Sequence, residues 1–239
     1  YLGTADENAK PEMVLERRGD VGHEVVNVLK PRFTPDAKTL VLTLDEGKTL
    51  RDLAASKGLA VGCAPDTFLG GAHQQARALI DEGRVGRITA GGAAVMGHGM
   101  EHWHPNPDFF FLPGAGPMLD LGPYYVANLI NFLGPVKRVG AITSSATPTR
   151  TIGSGARAGQ EIPVKTPTNI HALLEFVSGA TVTLTTTWDV WSHRRSHFEL
   201  YGTEGTLYVP DPNFFGGDLA GMLMRRAMTT CGVDPNKLQ

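Results

Sequence analysis

The sequence predicts two successive layouts, an α/β segment and then an α+β domain on a mostly antiparallel sheet. Three observations lead there. Up to about residue 86, β-branched runs alternate with amphipathic, glycine-stopped helices, which is the rhythm of a parallel α/β layer. Beyond that point one apolar helix, within "PGAGPMLDLGPYYVANLINFLG" (113–134), is followed by strand-like segments. Glycine (29 residues) and proline (16) fall between these segments without a repeat, so the elements are many and short.

Taken in order, residues 1–20 read as polar and irregular. "EVVNVLKP" (24–31) is a β-branched run closed by proline and predicts a buried strand. "TLDEGKTLRDLAASKG" (43–58) predicts a helix, with Thr43 as N-cap, Glu46 completing a capping box and Gly58 as the stop. "LAVGCAP" reads as a strand and "GGAHQQARALIDEGRVG" as a second helix. "RITAGGAAVMG" is strand-like, and a loop rich in proline and aromatics, "HWHPNPDFFFLPGAG", leads to the apolar helix. "VKRVGAITSSA", "NIHALLEFVSGATVTLTTTWDVW", "RSHFELYGTEG" and "TLYVPD" are the β-rich segments, and "SGA" marks a hairpin. "DLAGMLMRRAMTTCGVDPNKLQ" reads as a short helix and tail.

The chain has 239 residues, enough for one large or two small domains, and is 41% hydrophobic and 19% charged, as folded proteins are. A formal charge of -2 gives no basic field for nucleic acid or a membrane surface. Neither partner is expected, and small neutral molecules are the favoured substrates. Cys63 and Cys231 make no disulfide framework and suit a reducing compartment. No apolar run approaches the roughly 20 residues of a membrane span. No signal peptide opens the chain, although "YLGTADENAK" carries no initiator Met. The expected location is cytoplasmic.

Four motifs invite chemistry. "GSGARA" (153–158) matches a dinucleotide fingerprint in letters, but its flanks read as loop rather than strand and helix. "HGMEHWH" places His98, His102 and His104 near Glu101, yet its glycines and Pro105 disfavour the helix that would let them share a metal, and none is expected. "TWDVWSHRRSH" offers Trp188 and Trp191 either as core aromatics or for sugar stacking, with Arg194 and Arg195 solvated. Asp120 and Tyr124, one helical turn apart, either cap and pack or face a pocket and move protons. A phenol, with a reference pKa of about 10, accepts a proton near neutrality only beside a cation.

"LVLTLDEG", "GCAPDTFLGGAHQQARALIDEGRVGRI", "WHPNPDFFFLPGAGPMLDLGPYY" and "ELYGTEGTLYVPDPNFFGG" occur in an order that resembles the Gfo/Idh/MocA oxidoreductases, the group of glucose–fructose oxidoreductase and inositol dehydrogenase. The resemblance runs from about residue 38 to 217. It implies a Rossmann domain binding NAD or NADP, here partial (1–64), then an α+β substrate domain (65–217) whose open sheet mediates a homo-oligomer, a dimer or tetramer, and a tail (218–239). It also implies hydride transfer at a sugar or cyclitol carbon. Lys38 matches the lysine of the family's Glu-Lys-Pro motif, whose other two residues are missing here, and Lys30 is the runner-up. Asp120-Leu121-Gly122-Pro123-Tyr124 matches Asp-x-Gly-x-His, with tyrosine in place of histidine. On this reading Lys38, Asp120 and Tyr124 are catalytic, Pro31 and Lys38 meet the cofactor, and His104, Tyr125 and Trp191 meet the substrate. No G-x-G-x-x-G occurs in residues 1–37, so a non-catalytic family remnant, assembling through its sheet or binding sugar, is the alternative.

Overall fold

The computed structural model describes residues 12–16, 39–59 and 65–222. Strand β1 (Glu12–Glu16) pairs antiparallel with β2 (Thr39–Thr43), which runs straight into helix α1 (Leu44–Ser56). β1 falls in a stretch that the sequence presents as irregular. Polar Glu12 and Glu16 mask a short strand whose partner is far along the chain. The 24–31 strand lies outside the described residues, as does most of "LAVGCAP". α1 ends as expected, with Gly58 at φ 67°.

The main body is a seven-stranded sheet in the order β11-β10-β9-β3-β8-β7-β4. Its strands are β3 (Ile88–Met96), β4 (Val136–Ser144), β7 (Asn169–Phe176), β8 (Thr181–Thr187), β9 (Phe198–Gly202), β10 (Thr206–Val209) and β11 (Ala220–Met222). β3 runs parallel to β8 and every other pair is antiparallel. β11 stands where the sequence suggests a helix, because a three-residue edge strand takes its stability from its neighbour rather than from its own pattern. β3 fits in the middle because its centre, Ala90–Ala94, is all alanine and glycine. At Gly91 an added Cβ would lie 2.7 Å from the Glu199 carbonyl oxygen, so the neighbouring backbone comes too close for any side chain.

Two helices cover one face. α2 (Gly71–Asp81) buries His73 and Ala76. α4 (Gly122–Leu133) buries Tyr125, Leu129, Phe132 and Leu133, the i, i+4, i+7, i+8 stripe of an amphipathic helix. These side chains join Leu174, Phe176, Val182, Leu184, Phe198 and Leu200 in one core. Each fully buried Leu or Phe contributes roughly 1.5–3 kcal/mol, so this stripe fixes how α4 is rotated. The opposite face is open, with Leu173 55% and Ile142 78% exposed. A second small core, Phe111, Ile152, Ile162 and Trp188, lies around a hairpin of β5 (Thr149–Thr151) and β6 (Glu161–Pro163) that the sequence does not announce.

Candidate active site

The turn "PGAGP" builds the floor of the site. Gly114 and Gly116 adopt φ of 86° and 88°, and a Cβ at Gly116 would lie 2.8 Å from the Pro167 carbonyl oxygen. The Gly116 N–H donates to the Phe110 carbonyl at 3.0 Å, and Thr166 Oγ1 donates to the Ala115 carbonyl at 3.2 Å. Pro117 then opens the short helix α3 (Pro117–Asp120), where a missing N–H costs nothing. The single helix predicted from sequence is in fact two, broken at Leu121. Pro123 explains the break, because its ring excludes the carbonyl four residues back and it has no N–H to offer.

Asp120 closes α3 at the edge of a shallow indentation that opens to solvent, lined also by Phe109, Phe110, Gly114, Ala115 and Leu119. Burial pushes its carboxyl above the ordinary carboxylate range. Tyr124, one turn on, is half-buried, and its phenol is also raised, first by burial and then by the facing carboxylates of Asp120 and Asp66. Neither Asp120 nor Tyr124 makes a side-chain hydrogen bond among the described residues. The arrangement therefore presents a phenol that stays protonated at neutral pH beside a partly desolvated carboxyl. It can donate to one oxygen and accept from a neighbouring hydroxyl. Lys38, the cation expected to lower the phenol, lies outside the described residues, as do Lys30 and Pro31.

The other predicted residues separate. His104 stands one ring behind the cleft, edge-on to Phe109 at 5.5 Å and Phe110 at 5.3 Å, and its Nδ1 accepts from the Asn106 N–H at 3.1 Å. Trp191 is 83% exposed and stacks on His98 at 3.3 Å, whereas Trp188 is core. Tyr125 does not join the cleft. It is fully buried, and its hydroxyl meets His197 Nδ1 at 2.7 Å and Asp211 Oδ1 at 3.3 Å, because successive helical residues point about 100° apart. Arg194 and Arg195 are exposed. Among the described residues no group of three or more His, Cys, Asp or Glu side chains could hold a metal ion.

"GSGARA" sits in the β5–β6 loop, with a 3-10 turn at Gly155–Arg157 and no strand–turn–helix around it. Its Arg157 instead grips Asp108 through both guanidinium nitrogens, at 2.5 and 2.9 Å, steadying the turn that carries Phe109 and Phe110. Sequence reasoning missed Asp66 as a neighbour of Tyr124. Asp66 precedes the 3-10 turn Thr67–Leu69 and looks like a cap, yet it makes no capping bond.

A mostly antiparallel mixed sheet with helices packed on one face defines an α+β domain. Residues 73–208 match the GFO/IDH/MocA C-terminal domain, and the chain belongs to the GFO/IDH/MocA family. Among solved structures, levoglucosan dehydrogenase in complex with NADH and L-sorbose is similar at 23% identity and a TM-score of 0.54, over 68% of this chain and 43% of that one. An NAD-binding oxidoreductase from Klebsiella pneumoniae is similar at 21% and 0.59, over 75% and 51%. The super-repressor mutant of Gal80p from Saccharomyces cerevisiae is similar at 16% and 0.61, over 76% and 52%. At these identities the likeness establishes the fold, and the chain spans about half the length of the structures it matches. No curated protein gave a match. No helix among the described residues is long and apolar enough to cross a membrane.

Proposed function

We propose that the protein works as an NAD(P)-dependent oxidoreductase on a sugar or cyclitol carbon, with Asp120 and Tyr124 on the substrate side of the site. One observation carries this reading: Asp120, which lines a small surface indentation, and Tyr124, one helical turn on, are both partly withdrawn from water and without side-chain hydrogen-bond partners among the described residues. Such groups weaken a fold, and sites that need shifted titration are where they collect. Family membership and a similar fold in a protein complexed with NADH and L-sorbose support the substrate class.

The nicotinamide, when bound, supplies the hydride chemistry. Among the described residues β2 enters α1 with no glycine turn to cradle pyrophosphate, so these residues do not fit a dinucleotide. Tyr124 donates its phenol proton to a substrate carbonyl oxygen, or holds a hydrogen bond to the alcohol. To take up that proton in reverse it needs a cation, the role proposed for Lys38. Asp120 accepts from an adjacent hydroxyl and orients the ring. His104 and Trp191 are assigned to the sugar's flanks.

Titration with NADH and NADPH, followed by nicotinamide fluorescence, and calorimetry with L-sorbose and myo-inositol test the reading. Tyr124→Phe should abolish turnover while leaving the fold intact, and unchanged turnover would overturn the assignment. The carboxylates around Tyr124 favour a second reading, a non-catalytic sugar-binding module assembled through its open sheet. Sugar binding without any nucleotide response would select it.

A further inference from the structure

We infer that Arg150 is a positioning residue that sets the geometry of the aromatic wall beside the cleft by holding three separate loops on one buried guanidinium. Arg150 leaves β5 into the small core, and its side chain is only 9% exposed. Nη1 donates to Glu101 Oε1 at 2.9 Å, and Nη2 donates to the Trp188 carbonyl at 3.2 Å and to Asp189 Oδ1. The guanidinium also lies 5.8 Å from the centre of the Phe111 ring. Each partner belongs to a different loop of the aromatic wall beside the cleft. Glu101 sits in the loop that bears His98 and His104. Asp189 is two residues before Trp191, and its other oxygen accepts from Thr168 Oγ1 at 2.8 Å. Phe111 ends the turn that presents Phe109 and Phe110 to the cleft.

The cluster is a poor device for stability alone. Two carboxylates share one guanidinium out of water, and replacing such a buried set with apolar groups is often neutral or stabilising. Glu101 Oε2, Arg150 Nε and Trp188 Nε1 are moreover buried with no hydrogen-bond partner among the described residues, which adds a desolvation cost. What the guanidinium provides is direction. Its planar fork fixes two carboxylates and a carbonyl at set angles, which hydrophobic packing or a lysine does not do. The role in substrate binding rests on the cleft reading given above, whereas the role in holding the loops does not.

The test separates the two. Nuclear Overhauser contacts between the Trp191 indole and the His98 ring, and between His104 and Phe110, report the wall without any substrate. Wild-type protein should show both. The triple variant Glu101→Gln/Arg150→Met/Asp189→Asn removes all three charges together and should keep its melting temperature within a few degrees while losing both contacts. Should that variant not fold, Arg150→Lys keeps the charge but not the fork and should lose the same contacts. Absence of the contacts in wild type, or their persistence in a folded variant, would overturn the proposal, as would a lowered melting temperature with both contacts intact. L-sorbose calorimetry on the same proteins then speaks to the cleft. If wild type binds no sugar, the functional reading fails while the contacts still decide the role of Arg150.

Discussion

At Asp120, burial favours the neutral carboxyl, and a raised folded pKa has a defined consequence. Its contribution to stability is fully present below the unfolded value of about 3.9 and is lost as pH rises through the folded one. Asp120→Asn should therefore raise the melting temperature at pH 7, with the difference closing at about pH 3, and thermal melts across that range check it. The adjacent tyrosines should behave oppositely. Tyr125→Phe removes a buried hydroxyl that bridges His197 and Asp211 and should cost about 1–2 kcal/mol in urea unfolding. Tyr124→Phe should leave stability nearly unchanged and affect only turnover. Sequence spacing was enough to bring Asp120 and Tyr124 together, and to warn that Tyr125 points elsewhere. It could not show where Tyr125 goes, because His197 and Asp211 arrive from loops beside β9 and β10, far along the chain. Asp66 was hidden for the same reason.

At the scale of elements, α2 carries a buried titration. Burial lowers the His73 imidazole, against the raising effect of the Phe214 and Asp211 carbonyls and the Asp211 carboxylate. The folded protein therefore keeps His73 neutral while the unfolded chain takes up a proton near its ordinary value of about 6.5. Stability should fall as pH drops from about 6.5 toward the lower folded value. His73→Met should flatten that slope, measured as urea midpoints at pH 7.5 and 5.5. Periodicity made α1, α2, β3 and the β7–β8 hairpin legible, the last through Gly179 at φ 88°. The break at Leu121 was readable in principle from Pro123, but the apolar stripe on either side disguised it. β5, β6 and β11 were not readable, since three residues are too few to show a period.

For the whole molecule, the open face is the surface proposed for self-assembly. Register aligns Gly140, Leu173, Thr183, Gly92, Glu199 and Tyr208 across it. Small residues at its centre would let a second sheet approach closely. Light scattering on a sizing column should find a dimer or tetramer that Leu173→Arg converts to monomer, and an unchanged mass would remove this face from consideration. Helix-then-strands order predicted the mostly antiparallel sheet, but not that β3 would lie between β8 and β9, since nothing in a strand's own letters names its neighbours. That placement also bears on how the chain reaches its final shape. β3 is made early, yet both of its ladders wait for residues 181–202, so its amides should be among the last to gain protection in pulse-labelled hydrogen exchange during refolding. The Ala90–Ala94 stretch at the middle of β3 offers little apolar surface for another polypeptide to hold during that delay, so the smallness that lets β3 fit at the centre should also limit clumping.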